Sequence, residues 1–192
     1  NKINLIDLNE CDYEELLTIF DLIQGWGGQQ GRHPYSEKKL PKRLTDPKEF
    51  ADDYLEIIKF LIDVSGQEYL TEDTVKELEK SLRNLNNVGI GFGSKHFFFW
   101  SWFRKKQNIF YIYDIRMVAI TKILNGKKMS YYSYLMFLNN IEQSLKLDTG
   151  VAERGLFTFS HNFFSNDDPP IFKNLSDTKK DIQVAKAFVK NI

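Results

Sequence analysis

The chain of 192 residues is short of several things, and each shortage removes a class of function. It has one cysteine, Cys11, which excludes a disulfide framework and any cysteine-built zinc or iron–sulfur centre within one chain. Its three histidines, His33, His96 and His161, stand at no metal-ligand spacing, so neither a metal nor another cofactor is expected. No apolar run approaches the ~20 residues that a membrane-spanning helix needs, and no secretory pattern opens the chain. The expected compartment is therefore the cytoplasm, with no membrane partner. Net charge is missing too: 26 Asp and Glu balance 26 Lys and Arg, so global charge argues for neither nucleic-acid nor membrane binding. Convincing strand alternation is absent as well, which points to an all-α fold.

Aromatic residues are abundant, with sixteen Phe, nine Tyr and three Trp making 15 % of the chain. Apolar residues recur at helical spacing in most segments. Residues 10–24 form an amphipathic helix on this reading, with Asn9 or Asp12 as its cap. The run G-W-G-G-Q-Q-G-R-H-P-Y over residues 25–35 reads as a loop, because four glycines and a proline defeat helix and strand alike. Helices are expected over residues 48–64, stopped by Gly66, and over 71–85, capped by Thr71. Residues 94–105 read as an aromatic helix and 109–113 as a short extended run. Asp114 caps the next helix, which Gly126 stops, and Ser130 caps another to about residue 147. One more helix is expected between 150 and 164, a break at N-D-D-P-P (166–170), and a last helix over 178–190. The total is seven or eight helices, in one domain of 1–192 or two small lobes sharing a cleft.

Global neutrality hides a local imbalance. Between Gly89 and Lys128 stand eight cations (Lys95, Arg104, Lys105, Lys106, Arg116, Lys122, Lys127, Lys128) and one anion, Asp114. A basic segment in an otherwise acidic chain is the footprint of a phosphate-binding face, or else a solvated cationic surface. The segment opens with G-I-G-F-G-S-K, glycines at alternate positions before Lys95. Glycines with positive φ at a helix start would align N–H groups into an anion cradle, which holds a phosphate but reads no base. It is not a P-loop: G-x-x-x-x-G-K-[ST] is missing and no strand precedes it. Asp114 follows Lys95 by nineteen positions, at the end of an apolar run.

These residues resemble the hairpin and active segment of the helix–hairpin–helix DNA glycosylases, whose pattern reads apolar-Pro-Gly-apolar-Gly-x-Lys. Gly91, Phe92, Gly93, Ser94 and Lys95 fall on its last five positions, and Asp114 on the family's aspartate, just under twenty residues later. The lysine makes the 8-oxoguanine DNA glycosylase/lyase branch the most similar. The likeness is specific over about thirty residues, 89–116, within a helix–hairpin–helix element over about 72–106. It implies excision of a damaged, purine-like base from DNA, with lyase activity through a Lys95 Schiff base. Asp114 would assist deprotonation or stabilise charge on the sugar. Gly89, Gly91, Gly93, Ser94 and Arg116 would meet nucleic acid. Lys95 has to act as a neutral amine; burial among Phe97, Phe98, Phe99 and Trp100, and nearby cations such as Arg116, would favour that form.

For the base pocket, the resemblance implies a late helix with a stacking ring and a polar reader one turn before it. Phe157 and Glu153 have that relation in V-A-E-R-G-L-F-T-F, with Phe157 as plain core the competing reading. Gly28 and Gln29 resemble a glycine–glutamine pair that touches the damaged base in some members. The chain departs from the family in Ile90 for the usual proline, and in lacking the eukaryotic sheet domain and the asparagine-rich helix that fills the gap left by an extruded base. It reads as a trimmed, stand-alone version of the helical core. The alternative is a non-catalytic module for nucleic acid or a protein partner on the same scaffold. The resemblance also permits a place in a bacterial antiviral operon.

Overall fold

The computed structural model describes residue 3 and residues 6–26, 46–85 and 88–163. Among the described residues there are seven α-helices, one 3-10 turn and no strand, so the fold is all-α. The expected break at 166–170 and the expected helix over 178–190 lie outside the described residues. The chain divides into two compact units, Asn1–Ile112 and Tyr113–Ile192, which meet in the sequence at the end of the extended run.

The first unit holds α1 (Tyr13–Trp26), α2 (Pro47–Ser65), α3 (Glu72–Ser81) with a 3-10 turn at Leu82–Asn84, and α4 (Ile90–Phe103). Local signals start these helices. Asp12 Oδ1 accepts the amide of Glu15 at 2.7 Å, ahead of α1. Asp46 accepts the amides of Lys48 and Glu49 at the start of α2, where Pro47 gives up no needed donor. Thr71 and Thr74 form a capping box at α3. Helix α1 packs on α2 and α4, and α2 packs on α3 and α4. Phe20 of α1 meets Phe50 and Tyr54 of α2 edge-on, at centroid distances of 4.8 and 5.1 Å. Burying each such ring stabilises the fold by on the order of 2 kcal/mol before entropy is counted.

The second unit holds α5 (Ile115–Asn125), α6 (Tyr131–Leu145) and α7 (Val151–Phe163). Ser130 accepts the amide of Ser133 at the start of α6, and Gly126, at φ +76°, ends α5 in the left-handed region where glycine is favoured. Helix α7 packs on both α5 and α6. Its start is held from a distance: buried Glu142, on α6, accepts the amides of Gly150 and Ala152 at 2.7 and 3.1 Å. A carboxylate at a helix N-terminus satisfies orphan donors and suits the dipole. Tyr113 stacks on Tyr131 and meets Tyr134, and its hydroxyl donates to the Met129 carbonyl.

Candidate active site

The glycine segment is helix from Ile90 onward, four residues earlier than the expected start at Ser94. Gly89 is the extended N-cap, at φ −82° and ψ 170°, and its carbonyl accepts the amides of Phe92 and Gly93. Among the described residues the glycines with positive φ are Gly126 and Gly150. The expected cradle of left-handed glycines is therefore replaced by an ordinary first helical turn. What requires glycine at position 93 is close approach: a Cβ there would lie 2.2 Å from Leu82 Cδ1 and 2.9 Å from Cδ2. The α3 side of the motif thus seats Leu82 directly on the α4 backbone.

This start of α4 has no capping side chain. The amides of Ile90 and Gly91 lie ahead of the first intrahelical bond, where a helix leaves orphan donors and a positive dipole end. Gly89 is exposed and Gly91 half-buried, whereas Gly93 and Ser94 are buried. The Ser94 hydroxyl turns back to the Gly91 carbonyl at 3.5 Å. Of the four α4 residues expected to meet nucleic acid, Gly89 and Gly91 have the surface for it.

Lys95 stands in the second turn of α4 and is only 8 % exposed. Aromatic rings face its amine: Nζ lies 4.5 Å from the Phe92 centroid and 5.9 Å from that of Trp26. Trp26 is the last residue of α1, although the glycines around it read as a loop; Gly28 and Gln29 lie outside the described residues. The indole meets Phe99 edge-on at 5.1 Å and 86°, and Phe99 stacks on Phe103 at 5.8 Å. Leu22, Trp26, Phe99 and Phe103 help to line an apolar cavity of roughly 250 Å³. The sequence contained the signal for this placement, since Ile19, Ile23 and Trp26 continue one helical stripe.

Beside Lys95, on the core side of α4, lies a buried polar chain. Trp100 Nε1 donates to the Tyr54 hydroxyl at 2.7 Å, and that oxygen lies 2.8 Å from His96 Nδ1. His96 stacks on Phe20 at 4.6 Å. Burial, and then the neighbouring Lys95 charge, lower the His96 pKa to about 3, so the imidazole is neutral. Burial pushes the Tyr54 phenol far above its usual range, against a smaller opposite effect of the Trp100 bond. With the ring neutral, the Tyr54 hydroxyl accepts from Trp100 and can donate to Nδ1, which puts the imidazole proton on Nε2, a buried nitrogen with no hydrogen-bond partner among the described residues.

Asp114 opens the second unit as the N-cap of α5: its Oδ1 accepts the amides of Arg116 and Met117 at 2.9 and 3.1 Å. The expected cap is thus in place, and Arg116 follows half-buried in the first turn. Glu153 and Phe157 are one turn apart on α7, with Glu153 buried and Phe157 43 % exposed, so Phe157 is not simply core. Tyr134 gathers this part of the unit electrostatically. Its phenol is held well above the usual 10 by burial first, then by Glu153, Tyr131, Asp114 and Tyr113.

The basic segment is less free than its composition suggests. Lys95 is buried, and Arg104 lies over Trp100 at 5.7 Å while donating to the Ile6 carbonyl. Among the described residues no cluster of three or more His, Cys, Asp or Glu is placed to hold a metal ion, and no helix is long and apolar enough to cross a membrane.

No protein-family model, curated protein or solved structure matches this chain.

Proposed function

We propose that the chain is a DNA N-glycosylase with associated lyase activity, acting on a damaged or modified purine-like base. The observation that carries this reading is the setting of Lys95. A primary amine is held almost out of water among aromatic rings, one turn inside a helix whose N-terminus has no side-chain cap. A desolvated lysine is a recurrent nucleophile toward electrophilic carbon. The open helix start would hold a DNA phosphate, giving register while the amine meets the sugar.

In the proposed reaction the Lys95 amine forms a bond to C1′ as the bond from C1′ to the base breaks. The electron pair leaves with the base, which takes up a proton. The amine loses a proton as the sugar ring opens to a Schiff base. Loss of a C2′ proton then expels the 3′ phosphate. Asp114 serves as the acid–base partner, or as the negative charge that steadies the cationic sugar. Its cap uses Oδ1 and fixes the direction of the carboxylate.

Borohydride trapping tests the assignment. The protein should become cross-linked to DNA bearing an abasic site, and Lys95→Gln should abolish both cross-link and cleavage, by about a thousandfold or more. If Lys95→Gln traps as well as the wild type, the mechanism is wrong.

A second reading, a non-catalytic module for a protein partner, is favoured by the exposure of Leu22 and Trp26 at 62 % and 60 % beside the apolar cavity. Salt separates the two. Phosphate contacts make affinity for an oligonucleotide fall steeply with ionic strength, whereas an apolar protein contact is nearly insensitive to it.

A further inference from the structure

Trp26 is an anomaly in its surroundings. Tryptophan is on average a highly buried residue, yet this one is 60 % exposed while its neighbours on the same helical stripe, Ile19 and Ile23, are 1 % and 4 % exposed. Its ring is nevertheless not loose. Phe99 abuts it edge-on at 5.1 Å and 86°, and Lys95 Nζ lies over it at 5.9 Å. An exposed, oriented indole beside a buried amine is a surface awaiting a flat, electron-rich partner.

We propose that Trp26 is the stacking platform for the extruded purine base, holding it against the indole while Lys95 meets its sugar carbon. The inference rests on the glycosylase reading and adds to it a base-binding residue in the first unit, separate from Phe157 of the second. Lys95 Nζ stands 5.9 Å from the indole centroid, so the amine and the exposed ring are within one side chain's reach of each other. A base stacked on the exposed part of that ring would lie beside the amine, with its glycosidic carbon within reach of Nζ. Stacking on an indole is tolerant of which base is presented, so Trp26 contributes retention, and polar groups elsewhere supply the choice of lesion. Phe99 and Phe103 back the platform and line the apolar cavity beside it.

The test separates loss of the base platform from loss of the nucleophile. The full chain and its Trp26→Leu, Trp26→Phe and Lys95→Gln variants are given two oligonucleotides, single-stranded and duplex, one carrying 8-oxoguanine and one a preformed abasic site. Trp26→Leu should slow release of 8-oxoguanine at least about tenfold more than it slows borohydride trapping on the abasic strand. Trp26→Phe, which keeps a ring, should recover most of the loss. Circular dichroism and thermal melting check that each variant is folded. If Trp26→Leu leaves both reactions unchanged, or lowers both equally, the platform is overturned while the role of Lys95 stands. A wild type that traps the abasic strand but releases no 8-oxoguanine also overturns the purine platform. If the wild type traps neither strand, or Lys95→Gln traps both, the glycosylase reading falls and this inference falls with it.

Discussion

Two helix starts carry the candidate chemistry, and they are made in opposite ways. Helix α5 is fixed by its end: Asp114 accepts two of its first-turn amides with one carboxylate oxygen. Helix α4 is fixed by its sides. It begins at a glycine with no capping side chain, and is held instead by Leu82 against Gly93 and by the His96–Tyr54–Trp100 chain. A helix anchored laterally is able to leave its N-terminal donors for a ligand. A helix anchored at its end has used them, and what remains available is the direction of the anchoring carboxylate.

The largest effect should come from breaking this division at Asp114. Asp114→Asn keeps an oxygen for the cap but loses the charge, so turnover should fall by about 10²–10⁴-fold with thermal stability unchanged. Asp114→Ala removes both and should cost about 1 kcal/mol of stability in addition. Single-turnover kinetics and melting curves on the two variants read cap and charge separately. Retained turnover in Asp114→Asn would end the catalytic assignment.

The lateral anchor of α4 carries a pH signature. His96 titrates near 6.5 when unfolded and at about 3 in the fold. Below pH 6.5 the unfolded chain takes up a proton that the folded chain refuses. Stability from this site is therefore complete above about 6.5 and declines as pH falls, by about 2 kcal/mol at pH 5, levelling off near 3. Urea unfolding at the two pH values should show that difference shrink in His96→Gln by the same amount; equal slopes in wild type and variant would place the titration elsewhere.

A smaller perturbation attacks the same anchor through volume. Gly93→Ala gains about 1 kcal/mol of helix propensity but drives a methyl into the buried Leu82, at an overpacking cost of about 1–3 kcal/mol. A net loss of up to about 2 kcal/mol is expected, and a Gly93→Ala variant that melts higher than wild type would contradict it.

The smallest effect makes α4 resemble α5. Position 89 is open, with nothing within 4 Å of an added Cβ. Gly89→Asp should therefore cap the helix and raise stability by a few tenths of a kcal/mol. If the α4 amides serve a phosphate, the same variant should bind an oligonucleotide several-fold more weakly, since the new carboxylate takes the donors and repels the ligand. Stronger binding, by fluorescence anisotropy, would show that no phosphate sits there.

What the sequence revealed about this fold is what local chemistry decides. Thr71, Asp114, Ser130, Gly66 and Gly126 mark helix ends as their side chains or lack of them require, and the helices follow within a few residues. The start of α4 differs from the expected turn because alternate glycines suggest one, whereas at Gly93 the requirement comes from Leu82, eleven positions earlier and near in space. The Glu142 cap on α7 and the His96–Tyr54–Trp100 chain join residues 8 to 46 positions apart, beyond any local motif. At the candidate site, the order of glycines, Lys95 and Asp114 was legible. The meeting of Trp26 with Lys95 was not, because the stripe of α1 shows that Trp26 is helical but not which residue of another helix it faces.

The contrast among the tryptophans also has an optical consequence. Trp100 is fully buried and donates its indole N–H to a tyrosine, so its emission belongs at the blue end of the range and is indifferent to solutes. Trp26 faces solvent, emits further to the red, and is open to collisional quenchers. The chain thus carries its own probe at the mouth of the candidate site, where any ligand that covers the indole will shift and shield the red component without a label being attached.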